Sequence, residues 1–239
     1  MDEFAIENPS NIVGHKFARL IPLDKENERY IEVSCLFYAG WQHPKKPCPR
    51  VDAIYKVVLP ESKLLPYIKY RESVLRQLTR FNLFRRSSPE RFEALLFHGT
   101  ARMCSLGESL EQRSLCSWPS CKLCGIINQS FSVTECGRKN KFTRFGKGIY
   151  TTSASSKADS YFEQFETAGT QIRPSTRILL VNRVVVGKTY ASQTNMVDLL
   201  APPPGFHSVT GVPGEHLNYE ETVVYNDDAI RPAFLVAYR

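Results

Sequence analysis

Stretches rich in β-branched and aromatic residues, separated by polar breaks, recur along most of this chain, while helical spacing shows in few places. Tyr30–Tyr38, YIEVSCLFY, has the composition of a strand, and the proline- and lysine-rich QHPKKPCPR after it reads as a loop. VDAIYKVVL at 51–59 predicts a second strand. Over 61–82, Leu64, Ile68, Leu75 and Leu78 fall at helical spacing, and Pro66 marks either the start of that helix or a bend in it. After the polar break RRSSPER, FEALLFHGT at 92–100 predicts a strand that ends in a His-Gly-Thr turn.

Residues 101–145 are cysteine-rich and read as irregular. GKGIYTTS follows as a strand, and SSKADSYFEQF as a helix opened by serines. TRILLVNRVVVGKTY at 176–190 is the longest apolar β run, and APPPGFHSVTGVPG at 201–214 reads as a long loop. Two short strands joined by a turn close the chain within TVVYNDDAIRPAFLVAY. Strands outnumber helices and mostly lack helices between them, so the fold class is α+β and not doubly wound. Domain count is one: an irregular lead-in at 1–29, then a globular domain at 30–239 with no helical regulatory domain ahead of it.

Composition narrows the function classes. With 42% hydrophobic residues the chain is globular, and no apolar run approaches a membrane span. The opening MDEFAIENPSNIVGHKFARLIPL is acidic and does not read as a secretion signal, so cytoplasm or nucleus is expected. A net charge of +7 favours an anionic partner, although it also serves solubility. The basic residues Lys69, Arg71, Arg76, Arg80, Arg85 and Arg86 would suit phosphates or a merely solvated helix face.

Cys116, Cys121 and Cys124 are spaced C-x4-C-x2-C, and Cys104 lies upstream. In a chain without a secretion signal such thiols point to metal before disulfides. Four thiolates would close a structural zinc site, with Cys104 as the fourth ligand and Cys136 as its substitute. The alternative is free thiols in an irregular loop.

Taken in order, LFHGT, FGKGIYTTSASSKADSY, PPPGFHSVTG and EETVVYNDDAIRPAFLVAY resemble the catalytic domain of the poly(ADP-ribose) polymerase family, most nearly its tankyrase-like members. VDAIYKVVLPESKLLPYIKYRESV is similar to that domain's opening strand and helix, so the resemblance covers roughly residues 30–239. It implies two packed, mainly antiparallel sheets around an NAD cleft with flanking helices. It implies a His–Tyr–Glu triad of His98, Tyr150 and Glu221. His98, Gly99 and Thr100 would hold NAD, and Tyr150 and Tyr161 would sandwich its nicotinamide ring.

Glu221 is singled out from Glu220 by the pattern ETVVY. Strand alternation then puts Glu221, Val223 and Tyr225 on one face and Glu220, Thr222 and Val224 on the other. One departure stands out: Ala158 occupies the position where the family usually has a serine that contacts the nicotinamide amide. The implied activity is transfer of ADP-ribose from NAD to an acceptor, with one-unit transfer preferred to polymer formation. Protein acceptors come first and nucleic-acid ends second. An NAD glycohydrolase and a non-catalytic NAD- or ADP-ribose-binding module are the alternatives.

Overall fold

The computed structural model describes residues 16–80, 92–136, 142–166 and 176–239, with the side chains of 163–166 left aside. Two sheets form the body. The first has five strands in the order β1 (Arg19–Pro22), β2 (Val51–Val58), β9 (Ile230–Tyr238), β5 (Arg177–Val185) and β3 (Glu93–His98), every neighbour antiparallel. The second has four, in the order β4 (Ile149–Thr151), β8 (Glu221–Val224), β7 (Ser208–Gly211) and β6 (Thr189–Ser192). Only β6 and β7 run parallel. With helices α1 (Glu28–Ala39), α2 (Glu61–Arg80), α3 (Lys122–Gln129) and α4 (Ser155–Glu166), this is the expected α+β architecture of mainly antiparallel sheets.

β5 shows why its sequence is an almost unbroken apolar run. Ile178 and Leu180 enter one core cluster with Leu235, Val224 and Ile127, while Leu179 and Val181 enter another with Phe37, Phe97 and Val236. A central strand buried on both faces needs no polar alternation. The run at 176–190 is nonetheless two strands, not one, because β5 and β6 belong to different sheets. Between them Gly187 adopts φ +54°, and a Cβ there would lie 2.6 Å from the His207 ring.

Four further expectations are corrected. Residues 30–38 are helical, not a strand. Asn27 caps α1 by accepting the Arg29 N–H, and Tyr30, Val33 and Phe37 fall on one buried helical face. The β-branched residues Ile31 and Val33 favour a strand, and the cap with the buried helical face prevails over that preference. In the lead-in, Arg19–Pro22 pairs with Lys56–Val58 and Tyr55 of β2, so this part is not irregular, while residues 1–15 lie outside the description.

Within the stretch read as irregular, α3 forms because Leu123, Cys124 and Ile127 share one buried face. In the proline/glycine loop, Ser208–Gly211 pairs with β8 and becomes β7. Helix α2 runs through Pro66, which sits in its second turn and gives up one backbone hydrogen bond there. Residues 81 and 82 of the expected helix, and Arg85 and Arg86, lie outside the described residues.

The two sheets meet at a point that matters for function. Phe97, next to the end of β3, exchanges both backbone hydrogen bonds with Thr152, just past β4, at 2.8 and 3.1 Å. This bridge brings His98 beside Tyr150 and opens a cleft between β3, β4, β8 and α4.

Candidate active site

The cleft is lined by Phe97, His98, Gly99, Tyr150, Thr151, Thr152, Lys157, Ala158, Tyr161 and Glu221. Five residues singled out from sequence, His98, Gly99, Tyr150, Tyr161 and Glu221, therefore converge on one wall or another of it. Thr100 does not: it is buried directly behind Gly99 and is absent from the lining.

His98 ends β3, and its Nδ1 lies 2.9 Å from the Tyr150 carbonyl oxygen. A carbonyl only accepts, so Nδ1 carries the hydrogen and Nε2 is the bare acceptor of the neutral ring. Burial lowers the His98 pKa from the usual 6.5, with the Tyr150 carbonyl opposing, so the ring is neutral at pH 7. Phe131, just after α3, meets the imidazole edge-on with ring centroids 5.1 Å apart.

Gly99 has a sharp steric reason to be glycine. A Cβ there would lie 1.8 Å from the Ala158 carbonyl oxygen and 3.2 Å from the Tyr161 Cβ. The strand end thus presses against α4 at the base of the cleft. Ala158 itself is buried and offers the cleft a methyl group and no hydroxyl.

Tyr150 is anchored at its hydroxyl, which donates to the Gly146 carbonyl (2.8 Å) and accepts from the Phe145 N–H (2.9 Å). Burial raises its pKa well above the ordinary phenol value. Gly146 at φ +67° completes this turn, with the Leu199 backbone filling the place of a side chain. Tyr161 rises from α4, and burial, with Glu221 beside it, pushes its pKa up to about 12.

Glu221 opens β8 and is only 7% exposed. Its Oε1 lies 2.7 Å from Lys157 Nζ, and its Oε2 lies 3.9 Å from Arg144 Nε. Val223, on the same face, packs with Phe145, and the Tyr225 hydroxyl donates to the Phe145 carbonyl at 2.7 Å. Those two therefore support the loop under Tyr150 and do not line the cleft. Val224 points the other way, into the main core. Glu220 is half-buried; its carboxylate accepts from Thr222 Oγ1 at 3.3 Å, and its carbonyl accepts from Thr152 Oγ1 at 2.6 Å.

Lys157 and Arg144 were given no role from sequence. Burial lowers the Lys157 pKa, while the Glu221 carboxylate acts against that shift. Its Nζ also donates to the Tyr219 carbonyl at 3.2 Å. Arg144 is held by Asn195 Oδ1 and stands 5.8 Å from the Phe142 ring centroid. A lysine one residue before Ala158 was the available signal for Lys157. Arg144 had none, since only folding brings residue 144 to the start of β8.

The four cysteines form a second cluster. The sulfur atoms of Cys104, Cys116, Cys121 and Cys124 all lie within 4.8 Å of one another. Cys104 Sγ is 3.8 Å from Cys121 and 3.6 Å from Cys124. Four thiolates around zinc at ~2.3 Å require sulfur–sulfur edges of about 3.8 Å, so the donor set fits that ion. Hydrogen bonds from Cys104 and Cys124 push the Cys121 thiol down, while Cys104 itself is pushed up to about 11 by its bond with Cys121. Cys136 lies elsewhere, with its sulfur 4.0 Å from the Gly146 carbonyl.

Two mainly antiparallel sheets thus bridge at Phe97, next to His98, and enclose a carboxylate-bearing cleft. Residues 71–215 match the family profile described as the poly(ADP-ribose) polymerase catalytic domain, more than half of the chain, and the protein belongs to that family. His98, Tyr150 and Tyr161 fall inside the matched span. Glu221 follows it, and what places it at the site is the geometry of the cleft. Among the described residues no helix is long and apolar enough to cross a membrane.

Proposed function

We propose that the cleft binds NAD and that Glu221 promotes departure of nicotinamide and transfer of a single ADP-ribose unit to a protein acceptor. Nicotinamide would lie between Tyr150 and Tyr161, with its carboxamide on the Gly99 backbone. His98 Nε2, bare and neutral, suits a hydroxyl of the adenosine ribose. The bond from the nicotinamide ring nitrogen to ribose C1″ breaks, and its electron pair stays with the ring, which leaves neutral. Positive charge then develops on the ribose, and a fixed carboxylate beside it stabilises that charge as it forms. The acceptor oxygen bonds to C1″ and closes the step.

The observation that carries single transfer is the engagement of Glu221 by two cations. Lys157 takes one oxygen at 2.7 Å, and Arg144 stands 3.9 Å from the other. A carboxylate with a cation on each oxygen can stabilise a developing ribosyl cation but has neither oxygen turned free toward an incoming hydroxyl. Elongation asks it to take a proton from a ribose hydroxyl, whereas an acceptor already ionised does not. The four-cysteine cluster would hold zinc with all four positions filled by protein, which supports a structural role and leaves no open position for chemistry. Protein acceptors in the cytoplasm or nucleus complete the reading.

Incubation with NAD labelled in its adenine, followed by sizing of the products on acceptor protein, tests this. A single discrete increment on the acceptor is expected. A ladder of increments would overturn single transfer, free ADP-ribose alone would turn the assignment to a glycohydrolase, and unconsumed NAD would leave only a binding module.

A further inference from the structure

Helix α4 supplies Lys157, Ala158 and Tyr161 to the cleft, yet the residue in their midst, Asp159, is not part of the lining. Its carboxylate is buried at 2% exposure and accepts hydrogen bonds from three separate parts of the fold. Arg177 Nε, at the start of β5, reaches Oδ1 at 2.6 Å. The Tyr238 hydroxyl, at the end of β9, reaches the same oxygen at 2.7 Å. Lys46 Nζ, from the loop after α1, reaches Oδ2 at 3.1 Å. Arg177 also donates from Nη2 to the Asp159 carbonyl at 3.1 Å and lies 4.8 Å from the Phe162 ring centroid. The same loop grips the helix a second time, where the Gln42 N–H donates to Ser156 Oγ at 3.1 Å.

Three directional bonds on one buried carboxylate fix both the rotation and the axial position of a helix. Little freedom remains on the cleft side. The Ala158 carbonyl sits where a Cβ on Gly99 would be, and Lys157 meets Glu221 at 2.7 Å. Displacement of α4 by about 1 Å would carry Tyr161 off the nicotinamide wall and Lys157 off Glu221, a scale at which catalysis responds strongly.

We propose that Asp159 is a positioning residue for ADP-ribosyl transfer, holding α4 so that the cleft is shaped for NAD before NAD arrives. This rests on the reading of the cleft as the NAD site. A comparison residue separates positioning from plain stability. Glu93 is also buried and accepts from the Tyr67 hydroxyl at 2.5 Å and from Arg71 Nε at 2.6 Å, which ties α2 to β3 and, among the described residues, not to α4.

The experiment is steady-state consumption of NAD by wild type, Asp159→Ala, Asp159→Asn, Tyr238→Phe and Glu93→Gln, each assayed well below its own Tm. Asp159→Ala is expected to raise KM for NAD about tenfold with a smaller fall in kcat, and Asp159→Asn to restore part of that loss. Tyr238→Phe, which removes one hydroxyl and keeps the ring, is expected to raise KM about threefold and decides the matter if the alanine variant does not fold. Glu93→Gln should lower Tm and leave KM within about twofold of wild type. The proposal is overturned if Asp159→Ala and Tyr238→Phe keep the wild-type KM, or if Glu93→Gln raises it equally. A wild-type protein that consumes no NAD would instead overturn the cleft reading, and this inference with it.

Discussion

Glu221→Gln removes one negative charge from the cleft and changes almost nothing else in shape. In the native site that charge faces Lys157 at 2.7 Å and Arg144 at 3.9 Å, and Tyr161 beside it. The amide keeps a carbonyl oxygen for Lys157 but cannot stabilise a developing ribosyl cation as an anion does. Loss of a preorganised electrostatic partner of this kind lowers kcat by about 10²–10³-fold, or roughly 3–4 kcal/mol of barrier.

Stability falls as well, because Lys157 is left buried without its counter-ion. It keeps the Tyr219 carbonyl at 3.2 Å, so the cost is expected to stay at or below ~3 kcal/mol, the lower end for a broken buried pair. For a chain of this size that is a Tm drop of up to about 10 °C. Glu220→Gln is the control. Among the described residues its carboxylate bonds the neighbouring Thr222 hydroxyl at 3.3 Å, and a change there is expected to alter kcat by less than about threefold. The assay is release of labelled nicotinamide at saturating NAD, below both Tm values. Equal rates for the two variants would refute the assignment of the strand face and the electrostatic role together.

Other outcomes follow from the same geometry. Ala158→Ser restores a hydroxyl at the cleft wall and is expected to tighten benzamide-type nicotinamide mimics about twofold to tenfold by calorimetry, the value of one net hydrogen bond. Elemental analysis of freshly purified protein is expected to give one zinc per chain, with Cys121→Ser abolishing it and lowering Tm; a metal-free native protein would contradict the four-thiolate site. His98 is buried neutral with its pKa lowered, so its contribution to stability is complete above pH 6.5, the value in the unfolded chain. As the pH falls below 6.5 the unfolded chain takes up a proton that the folded ring resists, and stability declines until the pH passes the depressed folded value. Tm against pH should therefore fall more steeply below 6.5 for wild type than for His98→Gln, and parallel curves would refute the burial argument.

Much of the fold was legible wherever a residue's pattern alone decides its structure. The strands at 51–58 and 93–98 are legible from apolar and β-branched composition between polar breaks, and the helix at 61–80 from the spacing of its leucines and Ile68. Tyr30–Tyr38 misled because Val33 and Ile31 favour strands, while the decisive features were the Asn27 cap and the 30–33–37 spacing of its buried residues. Ser208–Gly211 was hidden among prolines and glycines, since its pairing with β8 is a long-range fact. The same divide runs through the site. His98, Gly99, Tyr150, Tyr161 and Glu221 were reached through short segments that resemble the family's motifs. Lys157 and Arg144 acquire their places only when α4, the 142–148 loop and β8 come together, and Asp159 only when α4 meets β5, β9 and the loop after α1; no local spacing announces that.

A crystal structure of the protein with benzamide bound tests the account at its centre. The ring is expected between Tyr150 and Tyr161, with its carboxamide hydrogen-bonded to the Gly99 backbone and no hydroxyl partner at Ala158. Benzamide seated elsewhere, or a cleft that excludes it while NAD is still consumed, would contradict the assignment of this cleft as the nicotinamide site.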